Sequence, residues 1–558
     1  MSGGRLTGAA SALAVLCLAL AAAPAPAAEV ETLPFEAQAA DRTALRGHVF
    51  LPKQAPRPLA TVLQYSPYFG HPDGQTTEEW GTSEEVAFLL DAGFALAAVN
   101  MRGTGRSEDC MRYGDEVDWH DAASVVQALA AQPWSNGKVG MYGHSYPAWT
   151  QFMAAAVRPP ALKAVVPTSG VTDLWSLLAR RGAPLTGGLG TGFSTAFTFL
   201  AGHQPPEALG QACAHMAQSW RENWQLSVDG DRTPWFEARD LRDELARTPV
   251  PIMTTIGIIS GVNDGHILQL DDVWGTLHAD RTRFVLGQWS HETPRSHKEG
   301  WEKQVLGWYD HYLRDGPLTV PGGVVEYQDD SDAWHAADRW PPPSRAQTVH
   351  LSGDEVVPEG EPVEEVAATF QSADNDPGLK TDEPDEKTRL YNSTCGPHQV
   401  LFASRPLARD ALLAGHFEVD LELSSTLPGG NLSVFLWRTK GDGTCPDQSA
   451  TWFGRALMDL RHFEQAGRSR DFPTMTPTRV RFRSHPLAAV LRKDERFVVA
   501  IGGGSSELEP DARHPAITVT GGSLKLPVAG PAPDGDSAGT PPAGDGAAAI
   551  PPLRFTPP

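Results

Sequence analysis

The stretch Lys138-Val-Gly-Met-Tyr-Gly-His-Ser-Tyr-Pro-Ala-Trp149 carries the strongest chemical signal in the chain. An apolar strand pattern runs into Gly143-His144-Ser145, and an Ala-rich helical pattern follows at once. A tight strand-to-helix turn pushes a serine side chain out at the top of a sheet, which is the context of a nucleophile elbow. Gly143 leaves room for that turn. The N–H of Tyr146, next after the serine, falls at the helix start and can donate to an oxyanion. The usual pattern is G-x-S-x-G, and Pro147 stands where its last glycine would be. Taken singly, Ser145 could also be an ordinary turn serine.

Serine needs a base to become a nucleophile, and the base needs an acid to orient it. In this arrangement the chain order is Ser, then Asp or Glu, then His, each beyond the C-terminal end of a strand. The run Ile252 to Ile259 leads into Ser260-Gly-Val-Asn-Asp264-Gly-His266. The run Arg283 to Leu286 leads into Gly287-Gln-Trp-Ser-His291. Asp264 and His291 are therefore the expected acid and base. His266, His297 and His311 are rivals, of which His311 sits in a helical pattern and His297 in a longer loop. The side chain of His144 is expected to point away from that of Ser145.

These residues need a sheet to hold them. Strand patterns at Ala60–Gln64, Phe94–Val99, Gly137–Tyr142 and Leu162–Pro167 alternate with helical spacing over Trp119–Ala131 and Ala148–Val157. That alternation predicts an α/β fold with a parallel sheet and crossover helices, the α/β-hydrolase fold. From Asp173 to Arg247 the strand pattern fades, and a helical cap over the site is expected. A helix over Gln304–Arg314 closes the catalytic region. From about Thr319, short alternating runs such as His416–Ser424, Leu432–Trp437, Arg479–Phe482 and Phe497–Ile501 predict a β jelly roll. The last stretch, 529–558, is rich in Pro, Gly, Ala and Asp and is expected to be disordered. The predicted plan is a catalytic domain over 28–172 and 248–318, a cap over 173–247, and a jelly roll over 319–528.

The N-terminus predicts export. Arg5 precedes the apolar run Ala9–Ala23, which ends near the small-residue site Ala25-Pro26-Ala27, as in a signal peptide over 1–27. The run is too short for a comfortable membrane span, so no stable membrane association is expected after its removal. A secreted or periplasmic protein follows. Beyond the signal remain Cys110, Cys213, Cys395 and Cys445, with no metal-binding spacing. An oxidising compartment permits two disulfides, with Cys395–Cys445 the preferred pair and free buried thiols the alternative.

The formal net charge is −22 and no Lys/Arg block is present, so a nucleic-acid partner is not expected. The glycines at Gly188-Leu-Gly190-Thr-Gly192 and Gly502-Gly-Gly504 lack the strand-turn-helix context of a nucleotide site, and no Walker lysine motif occurs. No cofactor and no metal are expected.

Six segments in order resemble the cocaine esterase and X-Pro dipeptidyl-peptidase group of serine hydrolases. They are Tyr65-Ser-Pro-Tyr68, Met101-Arg-Gly-Thr-Gly-Arg-Ser107, Gln132-Pro-Trp-Ser-Asn-Gly-Lys138 with its elbow, Leu286-Gly-Gln-Trp-Ser-His291, Trp308-Tyr-Asp-His-Tyr-Leu313 and Trp334-His-Ala-Ala-Asp-Arg-Trp-Pro-Pro342. The family's elbow is G-x-S-Y-x-G, so Tyr146 matches, Pro147 falls at a variable position and Ala148 replaces a glycine. The resemblance implies that Tyr68 donates its hydroxyl to the oxyanion hole beside the Tyr146 N–H. It also implies a small-molecule or short-peptide acyl substrate: an ester, an X-Pro dipeptide or a β-lactam-type acyl group. Recognition of an N-terminal ammonium would need carboxylates near the site, and Asp173, Glu237 and Asp240 are the candidates in the cap. The reading from another class is an inactive exported carbohydrate-binding or adhesion protein.

Overall fold

The structure is a computed structural model that describes residues 29–69, 76–180, 183–184, 213, 218, 230–259, 279–372, 398–445, 450–503, 513–530 and 553–556. The expected signal segment lies outside the described residues.

The expected strands form the centre of one ten-stranded sheet. In chain order they are β1 (Val30–Gln38), β2 (Ala44–Pro52), β3 (Leu59–Ser66), β4 (Ala95–Asn100), β5 (Ser135–His144) and β6 (Leu162–Thr168). A two-residue ribbon follows, β7 (Ala179–Arg180) with β8 (Ala183–Pro184), and then β9 (Ile252–Gly257), β10 (Thr282–Gly287), β11 (Val324–Gln328) and β12 (Trp334–Ala337). The order across the sheet is β1-β2-β4-β3-β5-β6-β9-β10-β11-β12. Pairing is parallel from β4 through β11, and antiparallel at the edges. Every residue of β3, β4, β9 and β10 is buried, because helices cover both faces of a parallel sheet.

On one face lie helices α3 (Glu116–Ala130) and α4 (Tyr146–Val157), which pack Val126, Leu129, Trp149 and Phe152 against Tyr65, Val99 and Met141. On the other face lie α1 (Thr77–Gly81), α2 (Glu84–Asp91) and α8 (Trp301–Arg314), with Trp80, Leu89, Trp308 and Tyr309 beside Val62, Ala98 and Val166. In the expected cap, the described helices are the short α5 (Leu174–Leu178), α6 (Pro234–Glu237) and α7 (Arg242–Leu245).

The C-terminal part forms a twelve-stranded β assembly around its own apolar core of Val419, Leu421, Val434, Val480, Val499 and Leu524. The predicted strand runs all appear there, at Glu418–Ser425, Asn431–Thr439, Thr478–Arg483 and Arg496–Gly502.

Two expectations change. The all-β character begins at Thr319, yet β11 and β12 belong to the catalytic sheet. Val325 and Tyr327 complete an apolar layer with Phe284 and Leu286, so that sheet runs to Ala337. The tail is not featureless either. Leu553 is buried, Phe555 bridges Leu407, and the Thr556 N–H donates to the Pro406 carbonyl at 2.9 Å. The two large apolar side chains Leu553 and Phe555 dock those few positions.

Cys110 and Cys213 form a disulfide across a sequence separation of 103. Cys445 is disulfide-bonded as well, and Cys395 lies outside the described residues.

Candidate active site

Ser145 sits between β5 and α4 with φ 65° and ψ −122°, a left-handed conformation that non-glycine residues rarely adopt. Such strain costs of order 1–3 kcal/mol and persists because the surroundings over-determine it. The Ser145 N–H donates to the Thr168 carbonyl at 2.9 Å, and its own carbonyl accepts from Ala148 and Trp149. A side chain at Gly143 would come within 2.6 Å of the Pro147 ring, so the glycine is required where the chain doubles back. Ala148, the departure from the family pattern, finds its room at Gly170. A β-carbon there would lie only 2.9 Å from the Ala148 methyl.

His291 emerges from the loop after β10. Its Nε2 lies 2.8 Å from Ser145 Oγ. That loop is held from beneath and from the side. The fully buried Trp289 indole fills the space over Gly257 and Gly287, where a β-carbon would collide with it. The Gln288 amide donates to the Gln328 carbonyl at 2.7 Å. Burial lowers the His291 imidazole from 6.5 to about 4, so at neutral pH it is uncharged and able to accept a proton.

Tyr68 follows β3 and is 37% exposed, with its N–H donating to Ser66 Oγ at 3.1 Å. Its hydroxyl meets the Ser145 side chain and the Tyr146 backbone N–H. The ring is part-exposed but its hydroxyl end is desolvated, and this raises the phenol against the two hydrogen bonds, so it stays protonated at neutral pH. The ring stands edge-on to that of Tyr146, with centroids 6.3 Å apart. Ser145, Tyr146, Tyr68 and His291 thus converge on one point. Asp264 and His266, a rival of His291, lie outside the described residues. The strand end that leads to them does reach the site: Gly257 pairs with Gly287, and the Ile258 N–H donates to the Gly287 carbonyl.

The rivals His297 and His311 are occupied elsewhere. His297 Nε2 is 2.6 Å from Glu292, and its ring stacks on Trp289. His311 caps the end of α8 through Nδ1 to the Gly316 carbonyl at 2.9 Å. His144 is closer to the site than expected. Its ring centroid is 4.4 Å from that of His291, and burial together with His291 lowers it to about 3. Adjacency to the serine hid this, because the backbone turn at Ser145 swings the two side chains onto neighbouring walls of the same opening.

The Arg102 loop packs on the segment that carries Tyr68, with Gly105 close to the Phe69 carbonyl. The Arg102 guanidinium binds Asp121 at 2.6 Å, Asp109 at 2.7 Å and Asp41 at 2.8 Å, and the Arg102 backbone N–H donates to the Tyr65 hydroxyl. Gly105 approaches Asn100 Oδ1 so closely that a β-carbon would stand 1.9 Å from it. Gly103 and Gly105, both at positive φ, shape this loop. Among the described residues, no cluster of His, Cys, Asp and Glu could hold a metal ion.

The family model for X-Pro dipeptidyl-peptidase (S15 family) matches residues 41–293, and that for its C-terminal non-catalytic domain matches 320–524. The chain belongs to this family. The Xaa-Pro dipeptidyl-peptidase of Lacticaseibacillus casei is 22% identical over 410 residues, covering 66% of this chain and 50% of that protein. The chain spans between 45% and 75% of the length of the curated relatives it matches. Solved structures share the fold. An aminopeptidase from a marine sediment Thaumarchaeota archaeon superposes with TM-score 0.72 at 16% identity, covering 89% of this chain and 96% of that one. A CocE/NonD family hydrolase from Staphylococcus aureus gives 0.70 at 16% identity, covering 89% and 93%.

Within this S15 chain two of the three expected acids of the cap are engaged. Asp173 is buried and bonded to Arg232 at 2.7 Å, and Asp240 binds both Arg232 and Arg242. Glu237 faces solvent.

Proposed function

We propose that the chain is an exported serine hydrolase that cleaves ester or amide acyl bonds through Ser145, His291 and Asp264. The observation that carries this reading is the 2.8 Å approach of His291 Nε2 to Ser145 Oγ. His291 takes the hydroxyl proton as Ser145 Oγ bonds to the substrate carbonyl carbon. The developing oxyanion is held by the Tyr68 hydroxyl and the Tyr146 N–H, which already meet beside Oγ. His291 passes the proton to the leaving group as the bond to it breaks, and an acyl-serine remains. Water, deprotonated by the same imidazole, then releases the acyl group. Asp264 orients the imidazole in this scheme, by its place after β9 and before His291 in the chain. Export is supported by the N-terminal residues and by the Cys110–Cys213 disulfide, a bond that persists in oxidising compartments.

Asp173 and Asp240, which could have read an N-terminal ammonium, are neutralised by arginines. With those two consumed, Glu237 alone of the three cap acids stays exposed, and this reading favours ester over X-Pro peptide hydrolysis. A p-nitrophenyl acyl ester is accordingly expected to be turned over with higher kcat/KM than an X-Pro p-nitroanilide. The reverse order would reassign the substrate. Ser145→Ala is expected to abolish labelling by a fluorophosphonate probe, and persistent labelling of that variant would sink the nucleophile assignment.

A further inference from the structure

Beside the nucleophile opens a cleft of about 410 Å³ whose walls include Gln64, Tyr68, Trp80, Glu85, His144 and Arg295. Gln64 is 7% exposed and Trp80 1%. Gln64 Oε1, Trp80 Nε1 and His144 Nε2 are all buried and, among the described residues, have no hydrogen-bond partner. Buried polar groups are ordinarily satisfied, so three on one cleft match the walls of a site for a polar ligand.

The cleft also has a charge to offer. Arg295 also lines the cleft, but its guanidinium is committed to Glu302 at 2.7 Å and to the Glu84 carbonyl at 2.8 Å. Glu85 makes no ion pair or hydrogen bond among the described residues. Burial raises its carboxyl, and only the charge of Arg295 opposes this. A carboxylate in that setting gains from a cation that fills the cleft.

Position tells which half of a substrate the cleft would take. Thr293 and Arg295, on its wall, follow His291 on the same loop, and the His144 ring packs on the His291 ring. His291 is the group that hands a proton to the departing atom. The cleft therefore lies where the leaving group would exit, while the acyl group stays on Ser145. We infer that this cleft receives the leaving group, and that Glu85 selects leaving groups bearing a cationic amine. The inference rests on the acyl-hydrolase reading above and supplies the leaving-group chemistry that reading lacks.

The test uses acetylthiocholine and its neutral isostere 3,3-dimethylbutyl thioacetate, which differ in charge but hardly in shape. The wild-type enzyme is expected to prefer the cationic ester by about tenfold in kcat/KM, the scale of one partly desolvated charge pair. In Glu85→Gln the ratio of the two kcat/KM values should collapse toward one, while Glu85→Asp should keep most of the preference. The same question can be put without a variant. Choline should inhibit hydrolysis of the neutral ester by the wild type about tenfold more tightly than 3,3-dimethylbutanol. A wild-type ratio near one, or a preference that survives Glu85→Gln, would overturn the role of Glu85 while leaving the acyl-hydrolase reading intact. Absence of turnover of both esters, together with absence of fluorophosphonate labelling, would instead overturn the reading on which it rests.

Discussion

At the scale of single residues, the site depends on where protons sit. His291 is held neutral by burial, with its imidazole lowered from 6.5 to about 4. A lowered histidine remains a base as the pH falls past 6.5, and loses that role only on protonation near its own pKa. The acid limb of kcat/KM is therefore expected below 6.5 and displaced toward 4, and a pH–rate profile with a midpoint at or above 6.5 would contradict this. Tyr68 poses a different question, since its ring also packs beside Tyr146. If its hydroxyl serves the oxyanion, Tyr68→Phe should lower kcat about 10²–10³-fold with little change in KM. A rise in KM at unchanged kcat would make it a packing residue.

At the scale of elements, each functional group stands at the end of a buried strand, and the strands stop where small residues allow a sharp exit. Gly143, Gly257 and Gly287 each face a group that would collide with a β-carbon. This is why the elbow tolerates Pro147 and Ala148: the room comes from Gly143 and Gly170, so glycine is not needed further along the helix. The Cys110–Cys213 disulfide closes the largest described loop of this region, with a separation of 103 residues. Closing a loop of that length restricts the unfolded chain strongly. Replacing both cysteines by serine is expected to cost about 2–5 kcal/mol of stability, read as a lower urea midpoint. An unchanged midpoint would mean that the unfolded chain gains little freedom from the cut.

At the scale of the whole molecule, the catalytic sheet and the β assembly share an apolar layer. Ile256, Phe284, Leu286 and Tyr327 pack with Phe435, Trp437, Trp452 and Val498. Polar ties add to it: Arg438 binds Asp330 at 2.7 Å, and Ser469 binds Asp231 beside the cap. The two parts are therefore expected to unfold together. Trp437 is fully buried in that layer, so Trp437→Ala should cost about 3–5 kcal/mol. It should also reduce hydrogen-exchange protection in β9 and β10 as much as in Asn431–Thr439. Loss confined to the C-terminal strands would show that the catalytic sheet stands on its own.

Much of this was legible in the chain itself. The alternation of strand and helix patterns, the elbow around Ser145 and the strand exits toward Asp264 and His291 are local signals, because a period or a turn is written within a few residues. The first two strands, β1 and β2, escaped notice, and so did the helices α1 and α2, although Thr76-x-x-Glu79 is a capping box in sequence and in structure. Other features belong to the tertiary structure. Sequence could not say that Asp173 and Asp240 would be consumed by Arg232 and Arg242, that His144 would lean on His291, or that Gln64, Trp80 and Glu85 would face one cleft. Each is a contact between residues distant along the chain, or set by a single turn of the backbone, and packing alone decides such neighbours. The sequence determined which groups could do the chemistry; the folded core determined which of them meet, and what surrounds the bond they would break.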